Sequence, residues 1–265
     1  MPHFARLLEL GPIHGPLAAI SRVTRSTRLE ASILRASGLR RVRSRYGVTM
    51  TSNWSDTTFN MCYFAHYGRF LAGLLQDENM PFVFLDIGAN QGLYSLLAGR
   101  NRRCRAAIAF EPVPDTFALL EANIAANRLG GIVSAVNVAV AAEQGSATIR
   151  IDPMHSGGAS IAASNDVDGA HVTIRMLDHD GLDALIPPGD EVIIVKIDVE
   201  GFEPVVVDQL VRSRHAARIG TIFYEVDEGW IDPAAIETQL RSIGFSEFRR
   251  IDGFQPTHYD VLARR

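Results

Sequence analysis

From residue 82 onward, short apolar runs alternate with stretches of helical spacing, and no other feature of the chain narrows its fold so far. The runs cover residues 82–87, 106–110, 132–140, 192–197 and 221–224, and the helical stretches 94–99, 114–127, 204–214 and 233–243. Strands that are apolar along their whole length are buried on both faces, so a mainly parallel α/β sheet with helices on both sides is expected. The last helix has Pro233 at its start, after Asp232, and Gly244 just past its end, the residues that favour those positions. Residues 245–250 and 259–263, around Asp252-Gly253, read as a terminal hairpin. Ahead of the sheet, helical spacing predicts a helix over 29–45, interrupted at Gly38, and another over 59–75 that ends before Pro81. In the middle, β-type segments 147–151 and 171–176 flank Ser156-Gly157-Gly158-Ala159-Ser160, a small-residue loop too long for a simple turn.

Composition sets the outer bounds. A chain of 265 residues, 47% hydrophobic and 21% charged, suits one large domain with an appendage. The net charge of −4 argues against a nucleic-acid protein as a whole, but it averages two unlike parts. Residues 1–50 hold nine Arg against two Glu, a net +7, which leaves −11 for the remainder. This arm has the composition of an organelle presequence or of a segment that touches anionic surfaces; a solvated, partly helical extension explains it as well. Of the 26 basic residues, Lys196 is the only lysine. Two cysteines without metal-like spacing, no evident export signal and no long apolar span point to a cytoplasmic protein without stable membrane insertion.

The first run ends in Asp86-Ile87-Gly88-Ala89-Asn90-Gln91-Gly92, and the second in Glu111, 25 residues after Asp86. A glycine-bearing turn at the carboxyl edge of an open sheet lets a ligand approach the backbone. A dinucleotide fingerprint would place its second glycine where Asn90 stands, and the acid that opens this turn repels a pyrophosphate. A strand-end carboxylate such as Glu111 can accept both hydroxyls of a ribose. One nucleoside bearing a positive charge meets both conditions, and S-adenosylmethionine is such a molecule. Asp86 alone would be explained by capping the following helix. A second cluster, Lys196-Ile197-Asp198-Val199-Glu200-Gly201-Phe202-Glu203-Pro204, closes the 192–197 run. Lys196 and Asp198 share a strand face, whereas Glu200 and Glu203 also suit the positive start of the next helix.

These residues resemble a known family. The 86–92 turn, Phe110-Glu111-Pro112, the segment 139–145, the 156–160 loop and above all Lys196-Ile197-Asp198-Val199-Glu200-Gly201 are similar to the FkbM family of S-adenosylmethionine-dependent methyltransferases, over residues 53–265. The resemblance implies the Rossmann-like class I methyltransferase fold, a seven-stranded, mostly parallel sheet whose last strand is antiparallel. It also implies O-methylation of a hydroxyl on a sugar, a polyketide-type compound or another small metabolite. Residues 1–50 have no counterpart in it, so the chain divides into a basic extension over 1–50 and a methyltransferase domain over 51–265.

The expected cofactor residues are Asp86, Gly88, Asn90, Gly92, Glu111 and Pro112, and the expected catalytic residues Lys196, Asp198 and Glu200. In this reading Asp198, aided by Lys196, orients and deprotonates the acceptor hydroxyl; a neutral Lys196 acting as the base stays open. No resident metal is expected, although Asp198, Glu200 and Glu225 would suit Mg²⁺. Tyr63, His66 and Tyr67 are either pocket or core, with His66 a second candidate base, and no spacing ties His155 or His179 to chemistry. The expected partner is a small hydroxyl compound and no nucleic acid. Two other classes use the same sheet: a nicotinamide-dependent oxidoreductase, stabilised by NAD(P), and a non-catalytic interaction protein, which would have damaged cofactor residues.

Overall fold

The computed structural model describes residues 27–151 and 170–265. Residues 1–26 of the basic arm, His155 and the 156–160 loop lie outside the described residues. The chain begins with α1 (Thr27–Ala36), the short strands β1 (Arg41–Arg43) and β2 (Thr49–Thr51), and helices α2 (Thr57–Phe64) and α3 (Arg69–Asp77). Then follow β3 (Phe82–Ile87), α4 (Leu93–Arg100), β4 (Cys104–Phe110), α5 (Pro114–Ala126), β5 (Val133–Val136), β6 (Ala139–Val140), β7 (Gly145–Ile151) and β8 (Ala170–Leu177). The chain closes with α6 (His179–Leu185), β9 (Val192–Ile197), α7 (Glu203–Arg212), β10 (Ile219–Asp227), α8 (Pro233–Ser242), β11 (Glu247–Gln255) and β12 (His258–Arg264).

Seven strands form the main sheet in the order β11-β12-β10-β9-β3-β4-β5. All neighbours from β10 to β5 pair in parallel, and β12 runs antiparallel to both β10 and β11. The expected Rossmann-like methyltransferase sheet is therefore present. Its strands bury both faces by alternation. Phe82, Phe84, Ala107, Ala109 and Ile194 pack in one core with α1 to α5, whereas Val83, Leu85, Ile108, Ile193 and Val195 pack in a second with α6 to α8. The parity matters for the site, because Asp86 and Lys196 lie directly opposite each other in the β3–β9 ladder, on the α4 side.

Four element boundaries depart from the sequence pattern. The helix expected over 29–45 ends at Ala36; Gly38 takes φ +66°, and residues 41–43 pair with 49–51 as a hairpin. The helix expected over 59–75 is two helices, because Ala65 adopts φ 53° and its amide turns back to the carbonyls of Met61 and Cys62. The 132–140 run divides between two sheets, with Asn137 Nδ2 donating to the carbonyls of Glu111 and Pro112 at the break. The final turn lies at Pro256-Thr257. Asp252-Gly253 falls in an irregularity of the β11–β12 ladder between Ile251 and Gln255.

Among the described residues, those from 34 to 50 pack with the body that follows them. Leu34, Leu39, Val42, Val48 and Met50 join the same core as α2 to α5. The amides of Thr49 and Thr51 donate to the side chains of Asn127 and Asn123 on α5.

Candidate active site

The carboxyl ends of β3, β4 and β9 open into a cavity of about 270 Å³. The turn after β3 forms one wall. The amides of Gly88 and Ala89 both donate to Phe110 O, and Asp198 N donates to Ile87 O, so the turns after β3 and β9 are tied together. Gly88 sits at φ +78°, and a Cβ there would lie 1.9 Å from Asp198 O. Only glycine fits that seam.

At the end of β4, Glu111 is buried and accepts from Asn90 N and Val113 N, each at 2.9 Å. Burial pushes its pKa up to about 7 against the lowering effect of those two amides. A carboxylate has about four acceptor positions, so two remain for ligand hydroxyls. Gly88, Asn90, Glu111 and Pro112 line the cavity, as do Lys196, Asp198 and Glu200.

Asp86 and Gly92 are not among the lining residues. Asp86 is fully buried; its Oδ2 accepts from Ser95 N at 3.0 Å and Ser95 Oγ at 2.6 Å, so it caps α4. Its Oδ1 has no hydrogen-bond partner and faces Lys196 Nζ at 3.6 Å. Asp86 thus stands beneath the turn, where it supports the start of α4 and faces Lys196. Gly92 begins α4 against Leu120.

Lys196 is 3% exposed, and its ammonium donates to Gly88 O at 2.5 Å and lies 3.4 Å from Asp198. Burial alone would lower its pKa, but Asp198 and Asp86 together hold it above the ordinary lysine value. The two carboxylates thus stabilise the ammonium form against the cost of its burial. Glu203, buried at the start of α7, accepts from Val199 N and Gly201 N at 3.0 Å and shapes the turn that presents Asp198 and Glu200.

Residues from the last strands complete the cavity: Glu225, named from the sequence only as a possible metal ligand, and His258, which the sequence did not single out. Glu225 and His258 line it, with His258 Nε2 2.7 Å from Glu225 Oε1. Asp198, Glu200 and Glu225 bring carboxylate oxygens within 4.8 Å of one another. A second cavity of about 260 Å³ shares Tyr67, Glu225 and His258 and adds His66, Phe70, Phe223 and Asp260. Tyr63 belongs to the core, donating to Glu30 Oε1 at 3.1 Å. His179 lines neither cavity. Cys62 touches the first, but burial pushes its thiol up to about 12, so it is not a nucleophile. His258 and Asp260 share a strand face by period two, a signal that gains meaning only once β12 is known to pair with β10.

The cavity suits the expected cofactor. Backbone approaches at a glycine turn, Glu111 keeps acceptor positions for a ribose, and the far end is rich in carboxylates that favour a cationic centre. Residues 86–247 match the Methyltransferase FkbM domain. No curated protein sequence is significantly similar to the chain. Among solved structures, the METTL16 methyltransferase domain is 13% identical, with a TM-score of 0.51, covering 83% of this chain and 74% of that one. Precorrin-6y C5,15-methyltransferase from Geobacter metallireducens is 15% identical, with a TM-score of 0.42 and coverages of 74% and 88%. M. jannaschii TYW2 in complex with AdoMet is 13% identical, with a TM-score of 0.47 and 84% of each chain covered. The domain match spans more than half of the chain and includes both turns that meet at Gly88, so this protein belongs to the FkbM family of S-adenosylmethionine-dependent methyltransferases.

Proposed function

We propose that the enzyme methylates a hydroxyl of a small metabolite, such as a sugar or a polyketide-type compound. The observation that carries this reading is the second cavity, which meets the cofactor cavity at Tyr67, Glu225 and His258. Its volume of about 260 Å³ is near the lower end for small-ligand pockets. Its aromatic walls can cover the apolar faces of a ring while Glu225 and Asp260 accept hydroxyls.

When bound, the cofactor supplies an electrophilic methyl carbon. The protein's part is to hold the acceptor oxygen in line with it and to take the hydroxyl proton. We assign the proton to Asp198, whose carboxylate is 27% exposed beside the cavity, and a supporting role at the cavity wall to Glu200. Lys196 is a positioning residue that holds Asp198 and the Gly88 carbonyl in register. Gly88, Asn90, Glu111 and Pro112 hold the cofactor. The test is transfer of labelled methyl from S-adenosylmethionine to panels of polyols, sugars, hydroxylated polyketides, amines and RNA. Label in methyl ethers is expected, with turnover lost and S-adenosylhomocysteine binding kept in Asp198→Asn. Label confined to RNA, nitrogen or carbon would overturn the reading.

A further inference from the structure

We propose that the amino edge of the main sheet, opposite the cofactor cavity, is a docking face for an anionic lipid bilayer. The residues that form it lie outside both cavities, and their role is independent of the acceptor.

The face is built by the loops that enter β3, β4 and β5, three neighbours in the sheet. Arg102 and Arg103 occupy the loop between α4 and β4, Arg105 stands near the start of β4, and all three are exposed. Phe82 N donates to Arg103 O and Ala107 N to Ile132 O, so the loops entering β3 and β5 flank the arginines. Arg128, also exposed, lies in the loop before β5. Arg100 and Arg43 extend the charge to the β1–β2 hairpin, where Arg100 Nη1 at 2.6 Å and Arg43 Nε at 3.0 Å donate to the same carbonyl, Gly47 O. None of these six forms an ion pair among the described residues, where arginine pairs involve Arg45, Arg212, Arg218 and Arg241. The acids beside them are Asp77 and Glu78 at the end of α3, and Glu78 already accepts from Met80 N. Asp190 and Glu191, in the loop before β9, bound the patch on its other side, with Glu191 paired to Arg218. The C-terminus of α4 attracts a cation, which accounts for Arg100, but Arg102, Arg103 and Arg105 lie beyond its last turn.

The apolar residues choose between anionic partners. Met80, 63% exposed, precedes β3 on one side of the arginines, and Ile132, 36% exposed, precedes β5 on the other. Apolar tips set among arginines suit a headgroup layer, where the tips reach the acyl boundary and the guanidinium groups meet phosphates. Single-stranded nucleic acid calls instead for aromatic platforms, and the loops over 78–81, 101–103 and 127–132 contain no aromatic residue.

The far edge of the sheet has the opposite character. Its two cavities are lined by five carboxylates against two fixed cations, Lys196 and Arg69, and two histidines. A negative surface therefore attracts one edge, repels the other and leaves the cofactor cavity facing water.

The test is co-sedimentation of the protein with vesicles of phosphatidylcholine alone or with about one third phosphatidylglycerol. Binding is expected to the anionic vesicles only and should fall steeply as salt is raised. Arg102→Gln, Arg103→Gln and Arg105→Gln together should weaken it at least about tenfold, and Met80→Ser about threefold. Both variants should keep the parent's melting temperature, which shows that the losses are not unfolding. Equal affinity of the triple variant assigns the binding to another part of the chain, such as residues 1–26, and overturns the proposal. Equal binding to neutral vesicles overturns it as well, as does polyuridylate RNA bound as tightly as the anionic vesicles.

Discussion

Glu111 joins two roles that respond to pH in opposite directions. In the proposed cofactor site its ionised form is the acceptor of the ribose hydroxyls, so affinity for S-adenosylhomocysteine should rise as pH increases through about 7 and level off above it. The free protein should follow the reverse course. A carboxyl whose folded pKa is raised favours the fold most below its unfolded value, and that contribution is lost as pH rises to about 7. Calorimetry and thermal melts across this range check both trends, and Glu111→Gln should flatten them while weakening the ligand by about 1.5–3 kcal/mol. Lys196 invites a different measurement. Removing one member of a buried ion pair costs about 3–5 kcal/mol, so Lys196→Met should destabilise strongly in urea titrations. Adding Asp86→Asn should recover part of the loss, because the fully buried Asp86 then no longer lacks its counter-charge.

The seam between the turns after β3 and β9 is the element whose geometry leaves least freedom. Gly88→Ala adds a left-handed penalty of roughly 1–2 kcal/mol and a collision with Asp198 O. Both thermal stability and S-adenosylhomocysteine binding should fall. Gly73→Ala in α3, where an added Cβ meets nothing within 4 Å, should instead stabilise by about 0.5–1 kcal/mol, and melts of the two variants side by side distinguish local collision from a general cost of losing glycine. The same elements show what the sequence discloses. β3, β4 and β9 were legible because continuous apolar runs leave one interpretation, and Glu111 and Asp198 were legible as the acids that end them. Helical spacing from 59 to 75 carries no trace of the reversal at Ala65, which is a backbone event one residue wide. His258 and Asp260 reach the site through an antiparallel register, a long-range fact that periodicity does not encode. Asp86 was legible as a strand-end acid able to cap the following helix, and Ser95, its partner there, was not singled out.

At the scale of the whole molecule, residues 27–51 behave as part of the enzyme's body. Leu34, Leu39, Val42, Val48 and Met50 are all buried. At about 1.5–3 kcal/mol for each buried side chain, an upper bound, their loss rivals the roughly 5–15 kcal/mol that stabilises a typical domain. A chain beginning at Ser52 should therefore melt far below one beginning at Thr27, or fail to fold; equal melting temperatures would show that the hairpin and α1 are dispensable. Met50 also lines the cofactor cavity, so the shorter chain should lose ligand affinity as well.

Lys196, enclosed between Asp86 and Asp198, carries the only ε-amino group in the sequence. Aside from the α-amino group, an amine-directed label therefore has a single place to react, and that place is a 3% exposed side chain on the wall of the cofactor cavity. The rate at which the side chain acquires the label measures access to that wall, and a ligand that fills the cavity should slow it. The chain thus contains its own one-site gauge of cavity occupancy.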